Sequence, residues 1–554
     1  MLWRQWMGWA SLLMAAGVAW GLPVPNASFE AGKEGPLGWR LSGGQGRWEA
    51  TGHTGRRCVS VTGNGQDSNA WICEGFRFKP NALYRISVWG RSAPGAGGGT
   101  AITGTDGVNR DVSFPSQWAQ RAFILRTPQD ASLLRLRFGQ WHLKGTLLYD
   151  DVAVEEVQVL HRRVGNLELG EGERIQEGRY LFEPNWAGEG SNDSRCLQAF
   201  QAAFNTNRWV MFDGAWVLYR HRVGDHVQTQ GKVSVAIGYY VGGRCVVQAS
   251  RDGQQWLQVG TLEGLGERTF DLPATLFPAS EVWIRLLSQG KLTERGDTHP
   301  GEFQIHGYRY EAALQSPPPD CRGATSYVSL SRTSPALGFT LVEMEPVGSL
   351  QEPAFAFRLS SRRSQPFPLR IELASLPEEG TPHRGIASLI LPPRQERTVR
   401  IPYRVRSAGP HRLELTVREA KTGRVLLVAS ASFSVPPLYL SGFGERLKED
   451  ATAFLWWCGS TYKVSRTCPV PEGKGRAVRL SAARREYEPF QLVLRPKRDL
   501  KGVTVEVSPL RGPGGATLEA RHISIHLVEY VFVQHPTDAL GVVDWWPDPL
   551  PPYE

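Results

Sequence analysis

The sequence predicts an all-β protein made of tandem β-sandwiches, and three observations carry that reading. Apolar and polar residues alternate with a period of two, as in Leu369, Ile371 and Leu373, in Leu413, Leu415 and Val417, and in Val503, Val505 and Val507. Turn clusters punctuate these runs at NGQDSN (64–69), APGAGGG (93–99), SRDGQQ (250–255), KTGR (421–424) and RGPGG (511–515), as antiparallel sheets require. Helical periodicity is nearly absent, and only SRCLQAFQAAF (194–204) suits a short helix.

Of the 554 residues, 41% are hydrophobic and 21% charged, a globular composition with room for about three to five domains. The opening MLWRQWMGWASLLMAAGVAWG has one positive charge at Arg4, an uncharged apolar run, and Ala19 and Gly21 at the small-residue spacing of a signal-peptidase site. Residues 1–21 therefore read as a signal peptide, and the mature protein is expected to be secreted or otherwise extracytoplasmic, meeting the membrane only through that segment. An uncleaved anchor is the alternative, but the run is short and Pro23 and Pro25 follow it.

Lys and Arg number 63 against 54 Asp and Glu, a formal charge of +9 scattered along the chain without a basic helix or an aromatic-studded basic loop, so no nucleic-acid partner is expected. Seven cysteines fall as Cys58 with Cys73, Cys196 with Cys245, Cys458 with Cys468, and Cys321 alone. In an oxidising compartment such pairs can close disulfides, and buried free thiols are the alternative. None has the spacing of a zinc site.

Composition divides the chain into residues 22–157, 158–315, a proline linker at 316–324 around SPPPD, 325–440 and 441–554. The third segment has the size and strand rhythm of an immunoglobulin-like sandwich.

The first segment reads PNASFEAGKEGPLGW (25–39), GHTGRRCVSVTG (52–63), KPNALYRISVWGRS (79–92) and LLYDDVAV (147–154) in order. This set resembles a cenC-type carbohydrate-binding module, a jelly roll of the galactose-binding-like class. The resemblance implies a structural calcium held by Glu30 with Asp150 or Asp151, and clustered carboxylates on adjoining strands need such a cation. Sugars are held by exposed aromatic faces, so Trp71, Trp141 and Tyr149 are the candidate glycan residues, whereas Trp39, Trp89 and Trp118 are assigned to the core.

The second segment carries VVQASRDGQQWLQVGTLEG (246–264), ERTFDLP (267–273) and EVWIRLLSQ (281–289), and resembles discoidin-like sandwiches of the galactose-binding class. Trp256 then packs beside the Asp252-Gly253 turn, and His221 and His226 are expected at the surface, on opposite strand faces and unable to share a metal.

In the last segment, LSAARREYEPFQLVLRP (480–496), GVTVEV (502–507), ISIHLVEYVFV (523–533) and WWPDPLPPYE (545–554) resemble the sandwich that precedes the catalytic barrel of glycoside hydrolase family 123. The resemblance implies that Arg484, Glu486 and Glu488 lie on a supporting strand and that the catalytic residues lie outside this sequence. It also implies that Trp456, Trp457, Trp545 and Trp546 pack where the barrel would seat. No GxSxG elbow, phosphate loop or HExxH occurs. The expected function is glycan binding within a glycoside-hydrolase-like protein, and a cell-surface adhesion or scaffold protein is the alternative.

Overall fold

A computed structural model describes residues 22–290, 302–345, 347, 353–378, 380–440, 443–533, 541–542 and 544–552; the expected signal peptide lies outside them. The described chain is all-β, with 39 strands and no helix beyond four short 3-10 turns. It divides into two compact units, one ending at Arg332 and one beginning at Thr333.

The first unit is organised around one 13-stranded sheet. Its strand path is Trp39–Ser42, Ser68–Cys73, Leu136–Trp141, Thr100–Thr105 and Val108–Val112, then Ala203–Asn205, Arg208–Met211 and Phe303–Leu314. Phe303–Leu314 also pairs with Gln228–Tyr240, which carries Gly266–Asp271 on its far side. The two expected galactose-binding-like segments thus share this sheet, joined by parallel pairing of Phe204 with Val108 and Asn205 with Asn109. We call them lobes, because Lys144–Val164 is one uninterrupted strand through the expected 157/158 boundary. Thr325–Arg332, expected to open the third domain, pairs with that same strand.

Each lobe has its own second layer. In the first lobe it is Gln45–Glu49, Cys58–Asn64, Lys144–Val164, Leu83–Ser92 and Ala119–Arg126; in the second it is Leu197–Gln201, Trp216–Arg222, Glu281–Gln289, Arg244–Ser250 and Leu257–Leu262. The alternation seen in the sequence explains the layering: in Leu83–Ser92 every second residue from Tyr84 to Gly90 is buried. A single core runs through both lobes, from Val24 to Leu314.

Two expectations change here, and of the two alternatives for the cysteines the structure has the free thiols. Residues 194–204 form strands Leu197–Gln201 and Ala203–Asn205, because ladders to Trp216–Arg222 and Arg208–Met211 override local helix propensity. His221 is fully buried: its ring stacks on Tyr310 at 3.8 Å and its Nε2 lies 2.7 Å from the Tyr308 hydroxyl. All seven cysteines are free thiols, six of them buried.

The second unit opens with a sandwich. One layer is Leu337–Met344, Ala354–Ser361 and Glu396–Pro402; the other contains His383–Leu391, Phe367–Pro377, Gly409–Glu419 and Val425–Val435. Further on, Glu445–Glu449, Ala453–Gly459 and Phe490–Pro496 form a three-stranded sheet around a small core of Trp456, Cys458, Val464 and Cys468. Arg484, Glu486 and Glu488 lie on no strand, since the chain turns there with Arg485 at a φ of 69° and Glu486 accepting a bond from the Ala483 amide. Residues 502–507 likewise lack ladder partners despite their alternation, and Val503 and Val505 are about half exposed.

Candidate functional site

The opening motif of the first lobe is pinned by its own side chains. Asn26 donates from Nδ2 to the Ala31 and Leu37 carbonyls, the Trp39 indole donates to the Pro25 carbonyl, and that of Trp48 donates to the Phe29 carbonyl. This leaves Glu30 facing the loop 52–57, where its Oε1 accepts the Arg56 and Arg57 amides at 2.8 Å. The closing strand meets the same loop. Its register with Leu83–Ser92 shifts between Asp150 and Ala153, and Asp151 has a φ of 47°, so both acids turn toward residues 53 and 54.

Asp150 Oδ2 accepts the His53 amide at 2.7 Å and the Thr54 amide at 3.2 Å, while Asp151 bonds the His53 ring and the Thr54 hydroxyl, each at 2.7 Å. Burial, aided by the Asp151 charge, pushes the Asp150 carboxyl up to about 7 despite three amide donors. The expected trio of Glu30, Asp150 and Asp151 therefore gathers round one loop. Among the described residues, however, no three His, Cys, Asp or Glu side chains converge as a ligand set. Oxygens do converge beside Gly52: a Cβ there would lie 2.5 Å from the Thr54 carbonyl, 2.7 Å from that of Arg57 and 2.9 Å from Asp150 Oδ2. These oxygens close on the Gly52 backbone itself, which leaves no room for a side chain there, and Asp150 Oδ2 is already held by the two amides.

The aromatic candidates separate by burial. Trp71 is 7% exposed and its indole donates to the Ser60 carbonyl; Tyr149 is fully buried and donates to the Gly139 carbonyl. Neither offers a face to solvent, which corrects their assignment as platforms: both point between the sheets. Trp141 is different. Counting from buried Phe138, it stands on the outer side of the 13-stranded sheet with Arg137 and Gly139, partly exposed and stacked on His142 at 4.5 Å.

The register places Ala70, Ile72 and Ile102 on this same outer side, as small and nearly sealed neighbours. Burial is the main influence on Arg137, pushing its guanidinium pKa down although Asp106 and Asp111 oppose it, and its buried Nε has no hydrogen-bond partner. Asn205 donates to Asp111 Oδ1 at 3.1 Å, and Arg208 lies 3.9 Å from that carboxylate. Ala70, Ile72 and Ile102 are as closed to solvent as Trp71, so the indole and the polar groups are what this side offers a ligand.

A second aromatic group was not legible in the sequence. Trp89 and Trp118, expected in the core, are partly exposed on the outer side of the other layer. The His53 ring stacks on Trp89 at 3.9 Å and Arg91 lies 5.3 Å over Trp118, one group against each indole as His142 is against Trp141. Alternation with buried Val88 was the available signal for Trp89; nothing in the local pattern placed Trp118.

Trp256 is partly buried, with Arg285 4.4 Å above its ring. In the second unit Trp456 is fully buried and Trp545 is 40% exposed.

The fold defines a class, that of multi-sandwich all-β proteins. No family model matches the chain, and no curated protein matches it. Solved structures similar to parts of it include the N-terminal CBM22-1–CBM22-2 tandem domain from Paenibacillus barcinonensis, at 15% identity over 54% of this chain and 99% of that one, with a TM-score of 0.22. Bacteroides uniformis β-glucuronidase 2 is similar at 11% identity over 50% of this chain, with a TM-score of 0.15, and a β-galactosidase-like protein from Bacteroides fragilis at 12% over 54%, with a TM-score of 0.14. The chain covers 32% and 42% of those two proteins. At such scores these likenesses carry no argument about function. No helix among the described residues is long and apolar enough to cross a membrane.

Proposed function

We propose that this chain is a secreted glycan-binding protein, the substrate-holding part of a glycoside-hydrolase-like protein similar to family 123. The supporting observation is the Trp141 indole, partly exposed on the outer side of the sheet and stacked on His142. A pyranose laid on the indole presents its C–H face to the ring. Asp111 accepts from hydroxyls, held in place by Asn205. Tethered binding of this kind raises the substrate concentration seen by linked catalytic machinery.

Calcium, where bound, neutralises the carboxylates that clamp the loop 52–57 and so stiffens the junction of opening and closing motifs. Glu30 with Asp150 or Asp151 would hold it, at the loop that all three carboxylates already bond.

Glycan-array and calorimetric binding with Trp141→Ala tests the reading. The expected result is at least tenfold weaker binding of neutral oligosaccharides at unchanged melting temperature. Binding equal to that of the unmodified chain would overturn it.

A further inference from the structure

The second lobe carries a recess of about 140 Å³ lined by Lys232, Ser234, Glu267, Thr269, Arg309 and Glu311. The lining follows from the register. Ser234 stands opposite Thr269 on one side and Arg309 on the other, and Lys232 stands opposite Glu311. Val233, Val235, Tyr308 and Tyr310, between them in sequence, are buried, so the lining residues point away from the core.

Glu311 forms the floor at 7% exposure, and its carboxylate meets Arg179 at 2.5 Å, Arg309 at 3.2 Å and Lys232 at 3.4 Å. Three cations meet one buried carboxylate, an excess of two positive charges at the floor that only the exposed carboxylates at the edge, Glu267 and Asp271 opposite Lys232, offset. The three cationic side chains are 38%, 41% and 45% exposed, so donors not used by Glu311 face solvent. Glu311 thus holds the cationic heads in place before any ligand arrives, and the paired Ser234 and Thr269 hydroxyls, 2.7 Å apart, add neutral donors and acceptors beside them.

This recess lies on the outer side of the same sheet that carries Trp141. Between the two, that side presents Asp111, Asn109, Asn205 and Arg208, with the Asn109–Asn205 pair crossing from lobe to lobe. From Leu136–Trp141 to Gln228–Tyr240, which carries Lys232 and Ser234, the path runs over seven strands, six spacings of about 4.8 Å, or roughly 29 Å. That matches a glycan of about five to six sugars at roughly 5 Å each. The sheet's twist makes the path helical, which rotation about glycosidic bonds can follow.

We infer that the recess binds the carboxylate or sulfate of an acidic sugar, and that the two lobes grip a single acidic polysaccharide along their common sheet. Charge complementarity selects the ligand: Lys232 and Arg309 take the anionic group, and Ser234, Thr269 and Glu267 take hydroxyls of the same ring. The inference extends the glycan-binding reading of the first lobe and rests on it for the shared chain, but not for the recess itself.

The test is calorimetry on the full chain with a galacturonate hexasaccharide, its methyl ester, a sulfated dextran oligosaccharide and a neutral dextran oligosaccharide. Arg309→Gln and Lys232→Gln are each expected to weaken the galacturonate or the sulfated probe at least tenfold, to leave the neutral probe unchanged, and to keep the melting temperature. Whichever of those two probes responds identifies the anionic group. A galacturonate trimer, too short to reach both lobes, is expected to bind at least tenfold more weakly than the hexamer. Unaltered binding of both anionic probes by both variants, or equal binding of the acid and its methyl ester with no binding of the sulfated probe, overturns the proposal and leaves the Trp141 reading standing. Loss in Arg309→Gln without any effect of Trp141→Ala upholds the recess and removes the first-lobe platform instead.

Discussion

Trp71 and Trp141 sit in the same sheet of the same lobe and differ only in which side they face, yet they should behave oppositely when shortened. Trp71→Ala removes a 7%-exposed indole and its bond to Ser60, and should cost about 3–5 kcal/mol in denaturant unfolding. Trp141→Ala should shift stability by no more than about 0.5 kcal/mol while weakening glycan binding. His221 shows how far a residue's neighbours can move it from its ordinary chemistry. Burial holds its pKa well below the usual histidine range, so the unfolded chain binds the proton more readily. Its contribution is complete above about pH 6.5 and is lost as pH falls below that value. His221→Phe should flatten that acid limb in pH-dependent unfolding, with a separate cost from the orphaned Tyr308 hydroxyl.

At the level of elements, the loop 52–57 is built to enclose carboxylates. Gly55 has a φ of 66°, and a Cβ on it would meet Glu30 Oε1 at 2.3 Å, so Gly55→Ala should loosen the loop by about 1–3 kcal/mol, read by thermal unfolding. Asp150 gives this loop a pH dependence opposite to that of His221. Its folded value near 7 lies above the ordinary 3.8, so without metal its contribution is full below about pH 4 and falls as pH rises to about 7. Calcium binding requires the ionised carboxylate, so the rise in melting temperature on adding calcium should be larger at pH 8 than at pH 5, and Asp150→Asn should abolish it. Equal shifts at both pH values would rule out calcium at this carboxylate. Glu30 and the closing-strand acids are grouped by the cenC-type resemblance; the amides of residues 53–57 that bind them were not legible, because backbone groups leave no trace in residue type.

For the whole molecule, the uninterrupted strand Lys144–Val164 and the common core of the two lobes argue for one cooperative unfolding transition of the first unit. Limited proteolysis is therefore expected to spare the expected domain boundary at 157. The free thiols give a second global readout. With six of seven buried, a thiol reagent should label Cys321 first and reach the rest only on unfolding; six unreactive sulfurs after full denaturation would mean three disulfides instead.

Period-two alternation and turn chemistry were enough to establish an all-β chain of sandwiches, because each residue's side of a strand follows from its position alone. They do not determine which side of a sheet is core, so Trp71 and Tyr149 read as surface and Trp89 and Trp118 as interior, where the fold has the reverse. Nor did they show that two lobes share one sheet: a strand's second neighbour comes from anywhere in the chain. Only tertiary pairing joined Asn109 to Asn205 and placed the cationic recess and the exposed indole on one continuous face.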